Sequence, residues 1–487
     1  MGRVLATIMA IVGMSTNAGA QVPSRAALAG KLTPCSIQGA RPEGLCGHLD
    51  VREQRARPSS RTIALNVMVL PATTDSVLPD PLVFLAGGGV APATRYAGFL
   101  TRAFARLRRT HDILLVDQRG TWNSNPLACS PPGGPPSSPA ALNSLRQCRD
   151  SLSATSDLTA YTTLAAVEDL DAVRAWLGYS TVDMYGVSYG TKVAQVYVKR
   201  YPEHVRSVVL YGVVPVSKPS QLDLARFAQT SLDTVFARCA ADEQCRSAFP
   251  HVRAEFDSVL ARLTRAPASA TVDGPNGPMQ LPIGDRVFRD VIQAMLGSAQ
   301  GSSVIPALVH HSFAGDYSDV ARSLLGTGPP PPPPPPRGVF FSILCSEAIP
   351  QFTAADVAGA TSGTFFGDAP VRSQMASCDG WPRAELPRDF WQPTRADVPV
   401  LAVAGDLDPI TPPAYAAAAL AAWRNSRIVV VPNRSHNDVD PCITGMFEEF
   451  LMAGGRASVD TSCAVRPNPL RFVLPDSSRG GGAMRER

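Results

Sequence analysis

Over the first half of the chain, short apolar runs alternate with longer stretches of helical periodicity. Thr62–Leu70, Leu82–Ala86, Ile113–Val116, Val182–Tyr185 and Arg206–Val213 read as strands. Between them, Thr94–Arg109 and Leu164–Leu177 carry apolar residues at helical spacing; in the second, Leu164, Val167, Leu170, Val173 and Leu177 repeat every three or four positions. A further helix is expected over Thr191–Tyr201. Strands alternating with helices predict βαβ units and a mostly parallel sheet.

The alternation stops at about Ser217. As far as Thr394 the pattern gives mainly helices and loops, such as Leu222–Ala240 and Val252–Leu263. Strands then resume at Val398–Ala404 and Arg427–Val431, with a helix, Pro413–Trp423, between them. The expected organisation is one α/β core made of residues 61–216 and 395–475, interrupted by a mainly helical cap over 217–394. Such a cap would cover the carboxyl ends of the strands, where open α/β sheets bind ligands.

The flanks read differently. Arg3, the apolar stretch Val4–Met14 and Ala18-Gly19-Ala20 make residues 1–20 a secretory signal peptide, with Gln21 as the first mature residue. Residues 21–60 look polar and irregular, an N-terminal segment expected to be pinned to the body by Cys35 and Cys46. Pro329–Pro336 are consecutive prolines, expected to form a stiff polyproline II rod in a surface loop of the cap. Residues 476–487 read as a disordered tail.

Composition narrows the function classes. The chain has 487 residues, 45% of them hydrophobic, enough for a large core, and no later apolar run is long enough to span a bilayer. A net charge of +4 without a basic cluster gives no footprint for nucleic acid. Ten cysteines in an exported chain predict disulfides. They fall as Cys35/Cys46, Cys129/Cys148, Cys239/Cys245, Cys345/Cys378 and Cys442/Cys463, and nearest-neighbour pairing is the simplest scheme. No spacing suits a metal, and no cofactor is called for. A secreted or periplasmic protein, soluble once the leader is removed, is expected.

The chemistry centres on Gly186-Val187-Ser188-Tyr189-Gly190, a G-x-S-x-G between a strand and a helix. A serine on that turn is exposed at the carboxyl end of the sheet, and the helix N-terminus points toward developing negative charge. Such a serine needs a general base and a group to orient it, in the chain order Ser, Asp/Glu, His. His204 lies at a helix end, and His251, His310 and His311 lie in the interrupting segment. His436 follows the last strand and is the expected base. The loop after the preceding strand offers Asp406 and Asp408; Asp408, further along and fixed by Pro409, is the expected acid, and Asp406 a turn former. The oxyanion would be held by the N–H groups of Tyr189 and of Gly88, in Gly87-Gly88-Gly89.

These residues resemble the α/β-hydrolases of the prolyl and tripeptidyl aminopeptidase family, over most of the mature chain. Cys46-Gly47-His48-Leu49-Asp50-Val51 is similar to that family's opening segment, and Asp117-Gln118-Arg119-Gly120 to its D-Q-R-G signature, read as architectural. Gly186–Thr191 resembles its G-x-S-Y-G-T elbow, and Leu407-Asp408-Pro409 with Thr411-Pro412 its acid loop. Cys239–Cys245 and Cys345-Ser346-Glu347 resemble its cap motifs. The family's G-G-P-G is here Gly87-Gly88-Gly89-Val90, a departure that leaves substrate specificity open, since glycine-rich loops of the H-G-G-G type also serve esterases and lipases.

The resemblance implies a Ser188/Asp408/His436 triad under a helical cap, acting on peptides with free N-termini and releasing short peptides or proline. It implies a cap carboxylate for the substrate's ammonium, for which Glu347 is the candidate. A carboxylesterase with the same triad and a peptide-binding module without turnover are the alternatives, so the expected partner is a peptide or a small ester.

Overall fold

The computed structural model describes residues 23–36, 42–128, 138–274, 277–325, 336–456, 458–466, 469–475 and 484–485. The predicted signal peptide and Gln21, Cys129, prolines 329–335 and nearly all of the tail lie outside the described residues.

Among the described residues, nine strands form one sheet. In chain order they are β1 (Thr33–Ser36), β2 (Pro42–Arg52), β3 (Thr62–Leu70), β4 (Leu82–Leu85), β5 (Ile113–Val116), β6 (Val182–Val187) and β7 (Val205–Tyr211). A separate hairpin, β8 (Ala268–Gly274) and β9 (Gly277–Ile283), precedes β10 (Val400–Gly405) and β11 (Ser426–Val431). The sheet order is β1-β2-β3-β5-β4-β6-β7-β10-β11. From β5 to β11 every pairing is parallel; β1, β2 and β3 join antiparallel.

The central strands are buried on both faces, as parallel strands covered by helices must be. Their side chains divide with a period of two. Leu85, Val116, Met184, Val208, Leu210 and Ala402 enter one apolar cluster, and Phe84, Leu115, Tyr185, Val209 and Leu401 the other. Each of the Val, Leu, Met and Phe side chains among them contributes about 1.5–3 kcal/mol by leaving water.

Two sequence readings need correction here. Residues 21–60 are not irregular, since they supply β1 and β2. The register of β2 on β3 runs from Leu45↔Val69 to Arg52↔Thr62, and the half-exposed side chains of β2 hide that pairing in the pattern. Thr94–Arg109 is not one helix. It breaks into Ala93–Tyr96, Ala97–Ala103 and Leu107–Arg109. The buried Glu448 carboxylate accepts the N–H groups of Arg106 and Leu107, both at 2.9 Å, so the chain turns there without orphaned donors.

Between β7 and β10 the chain is mainly helical, including Ser220–Ala241, Val252–Arg265, Asp285–Met295 and Ala299–Phe313. Phe256, Phe288, Ile292 and Leu308 form part of its own apolar cluster. The β8–β9 hairpin was not legible in the sequence. Among the described residues, four of the expected nearest-neighbour disulfides are seen: Cys35–Cys46, Cys239–Cys245, Cys345–Cys378 and Cys442–Cys463; the fifth, Cys129/Cys148, involves a cysteine outside them. The insert rests on the loop that leaves the carboxyl end of β11. Asn437 N–H donates to Gly297 O at 2.9 Å and Ala299 N–H to Asp438 Oδ2 at 2.8 Å.

Candidate active site

Ser188 joins β6 to the Tyr189–Arg200 helix with φ 52° and ψ −121°. Few non-glycine residues adopt this region, and the surroundings hold it. Ser188 N–H donates to Tyr211 O at 2.9 Å. Thr191 Oγ1 donates to Ser188 O at 2.6 Å and accepts Val214 N–H at 2.8 Å. The flanking glycines are steric requirements. A Cβ on Gly190 would lie 2.0 Å from Leu85 O, and one on Gly186 would lie 2.8 Å from Gly190 O.

The three expected side chains meet. His436 Nε2 lies 3.0 Å from Ser188 Oγ, and His436 Nδ1 lies 2.9 Å from Asp408 Oδ2. The imidazole hangs from a pinned loop, since Tyr211 O–H donates to Ser435 O at 2.7 Å and Ser435 N–H to Asp438 Oδ2 at 2.7 Å. Asp408 is 3% exposed. Its Oδ1 accepts the N–H groups of Ile410 and Thr411, both at 2.8 Å, and its Oδ2 accepts Thr411 O–H at 2.6 Å. Burial alone would raise its pKa. The charge and hydrogen bond of His436, with the bonds from Thr411, outweigh burial and hold the carboxyl below the usual carboxylate range.

Thr411 is the residue that the sequence reading missed. Its Oγ1 also lies 2.9 Å from His436 Nδ1, so it touches both the acid and the base. Its place in the acid loop was the available signal. Gly212, at φ +63°, makes room: a Cβ there would lie 2.9 Å from Thr411 Oγ1. Asp406 holds the neighbouring backbone instead, accepting Asn433 N–H at 2.8 Å and pairing with Arg238 of the insert at 2.7 Å.

The glycine loop lies against the serine. A Cβ on Gly87 would come within 3.2 Å of Ser188 Cβ, and Gly88 and Gly89 have φ of +74° and +71°. The N–H of Tyr189 is among the first-turn donors that a helix leaves without an intrahelical acceptor. Arg119 is buried and donates to Asp169 at 2.6 and 2.7 Å and to Glu53 O and Ala160 O at 2.8 and 2.9 Å, which is an architectural arrangement.

Three other histidines are paired elsewhere. His204 Nδ1 pairs with Asp171, His310 with Glu255 and His311 with Asp319. Glu347 differs from the sequence expectation. It is 0% exposed, and its carboxylate is filled from within the protein. Thr163 N–H and O–H donate to it at 2.6 and 2.8 Å, and Lys192 Nζ pairs with it at 2.8 Å. A carboxylate already matched by an internal ammonium and shut off from water is not a free receptor for a substrate's ammonium.

Comparison with known proteins agrees with this geometry. A family profile described as the alpha/beta hydrolase fold matches residues 80–440. The chain is 26% identical over 472 residues to a protein named tripeptidyl aminopeptidase from Streptomyces coelicolor, covering 87% of this chain and 84% of that one. It is 28% identical over 246 residues to serine protease Hip1 of Mycobacterium tuberculosis, covering 44% of this chain and 45% of that one. It is also 28% identical over 148 residues to a proline iminopeptidase of Neisseria gonorrhoeae, covering 29% and 36% of the two chains.

Proposed function

This chain belongs to the α/β-hydrolase family, and on that premise we propose that it is an exported serine peptidase that releases short peptides from free N-termini. The observation that carries the reading is the unbroken hydrogen-bonded order Ser188, His436, Asp408, with contacts of 3.0 and 2.9 Å. Ser188 Oγ attacks the scissile carbonyl carbon. His436 Nε2 takes the hydroxyl proton and passes it to the leaving amine, while Asp408 fixes the ring and stabilises the imidazolium. The N–H groups of Tyr189 and Gly88 donate to the oxyanion. Water, activated by the same imidazole, then cleaves the acyl-enzyme.

A peptide substrate is favoured by the 87% of this chain that aligns with a tripeptidyl aminopeptidase. Export is favoured by the apolar leader with its Ala18-Gly19-Ala20 site and by four disulfides. Residues 217–394 serve as the lid that selects the substrate. A carboxylesterase is the second reading, favoured by the loop Gly87-Gly88-Gly89-Val90.

The test offers the purified mature protein free and N-acetylated tripeptidyl-nitroanilides beside nitrophenyl butyrate. Release of nitroaniline from the free peptide, with none from the acetylated one, is expected. Turnover of the ester alone would make the protein a carboxylesterase.

A further inference from the structure

We infer that Glu347 is a positioning residue for the oxyanion-stabilising turn, acting through Thr163 and Tyr189. This rests on the reading of Ser188 as nucleophile and of Tyr189 N–H as an oxyanion donor. A chain of buried polar contacts connects the two ends. Gln118 Nε2 donates to Tyr189 Oη at 3.3 Å, Tyr189 Oη lies 2.8 Å from Thr163 Oγ1, and Thr163 Oγ1 donates to Glu347 Oε2 at 2.8 Å. Lys192 Nζ closes the chain on the same Oε2 at 2.8 Å.

The direction of the chain follows from counting protons. Glu347 faces an ammonium and brings no proton, so the single hydroxyl proton of Thr163 goes to it. Thr163 can then only accept from Tyr189, and Tyr189 must be the donor. Burial and the charge of Glu347 both push the Tyr189 phenol up, which keeps that proton in place. The carboxylate thus fixes the orientation of every hydroxyl as far as the residue that directly follows Ser188.

The placement suits this role. Glu347 sits in a π turn, Leu344–Ala348, whose carbonyl at 347 accepts Gln351 Nε2 at 2.7 Å and Trp391 Nε1 at 2.8 Å. Thr163 opens the Thr163–Leu177 helix, so the carboxylate also lies at the positive end of that helix. Lys192 stands in the first turns of the elbow helix. One side chain of the insert therefore ties down both helices behind the turn that holds Ser188 at φ 52°. Tyr189 contributes twice: its ring sits 3.8 Å from where a Cβ on Gly89 would be, so it also backs the glycine loop. A polar network satisfied throughout is rigid, and rigidity is what an oxyanion donor requires.

The test compares wild type, Tyr189→Phe, the pair Glu347→Gln/Lys192→Met and all three changes together, in the full mature chain. The pair leaves no stranded ammonium, and Tyr189→Phe keeps the ring, so folding is preserved and is checked by thermal melting. The measurements are kcat and KM on a free tripeptidyl-nitroanilide and on nitrophenyl butyrate, which carries no ammonium. Expected is a fall in kcat of about 10- to 100-fold on both substrates, with KM within about threefold. Because both changes cut one chain, the triple variant should be no more than about threefold worse than either. A rise in KM confined to the amino substrate would make Glu347 an ammonium receptor after all. Folded variants with wild-type kcat would reduce the network to scaffolding. A wild-type protein with no Ser188-dependent turnover of either substrate would instead refute the serine-hydrolase reading on which the inference rests.

Discussion

The loop after β10 and the π turn of the insert each bury a carboxylate and match it with a nitrogen cation or potential cation. Asp408 is 3% exposed and Glu347 is 0% exposed, and each also accepts two bonds from a threonine, through the backbone N–H and the hydroxyl. Their partners differ. His436 presents its second ring nitrogen to Ser188 Oγ, whereas the Lys192 ammonium is held inside the protein, over the ring of Phe390. The same first contacts therefore serve two ends. A buried carboxylate acts next to the reacting atoms when its partner has another face open to them, and it positions the surrounding turn from behind when its partner has none.

The largest effect separates the two regions outright. Ser188→Ala should remove about five to six orders of magnitude of kcat, leaving the melting temperature close to wild type. A variant keeping a tenth of the wild-type rate would place the nucleophile elsewhere. Asp408→Asn should cost about four orders of magnitude in kcat, because an amide cannot hold His436 in the required tautomer. Asp406→Asn, two residues away, removes a partly exposed ion pair with Arg238, of the kind worth about 0–1 kcal/mol. It should change kcat by less than about threefold. Equal losses from the two substitutions would dissolve the distinction between catalytic and scaffolding carboxylates in this loop.

The contrast also explains what the sequence could tell. β3 and β5 keep their predicted bounds, and the elbow lies where G-x-S-x-G demands, because local sterics at Gly186 and Gly190 set that pattern. Asp408 and His436 were legible because a parallel sheet presents the loops after its strands at one edge. Thr411 was not assigned a role, since its hydroxyl matters only once β10 and β11 bring the acid and base together. β2 was missed because its pairing partner supplies the order that its own half-exposed residues lack. Glu347 was placed in the right region and given the wrong neighbour, because Lys192 lies 155 positions earlier in the chain and no spacing rule connects them.

The smallest effect lies wholly within the insert. His311 on the Ala299–Phe313 helix bonds Asp319 through Nδ1 at 2.8 Å, and Arg322 pairs with the same carboxylate. The hydrogen bond to Asp319 raises the His311 pKa; burial and Arg322 oppose it, while the charges of Asp319 and Asp316 add to it. The folded value exceeds the unfolded one, so the stabilisation is complete below the unfolded pKa of about 6.5 and fades as pH rises through the folded value. Asp319 has the opposite sign. Burial pushes it up, but His311 and Arg322 hold it below the ordinary range, so its share is lost only as pH falls through the acid range. His311→Asn should therefore flatten the decline in melting temperature between about pH 6 and 8, by about 1–2 °C for a partly exposed pair in a chain of this size. The kcat should stay within about twofold, since among the described residues the His311 side chain bonds Asp319 and not a member of the Ser188 hydrogen-bond chain. A calorimetric series in which variant and wild type decline in parallel would show that this pair does not report on the insert. Should kcat fall in His311→Asn, the insert would be coupled to the chemistry by a second route besides Glu347.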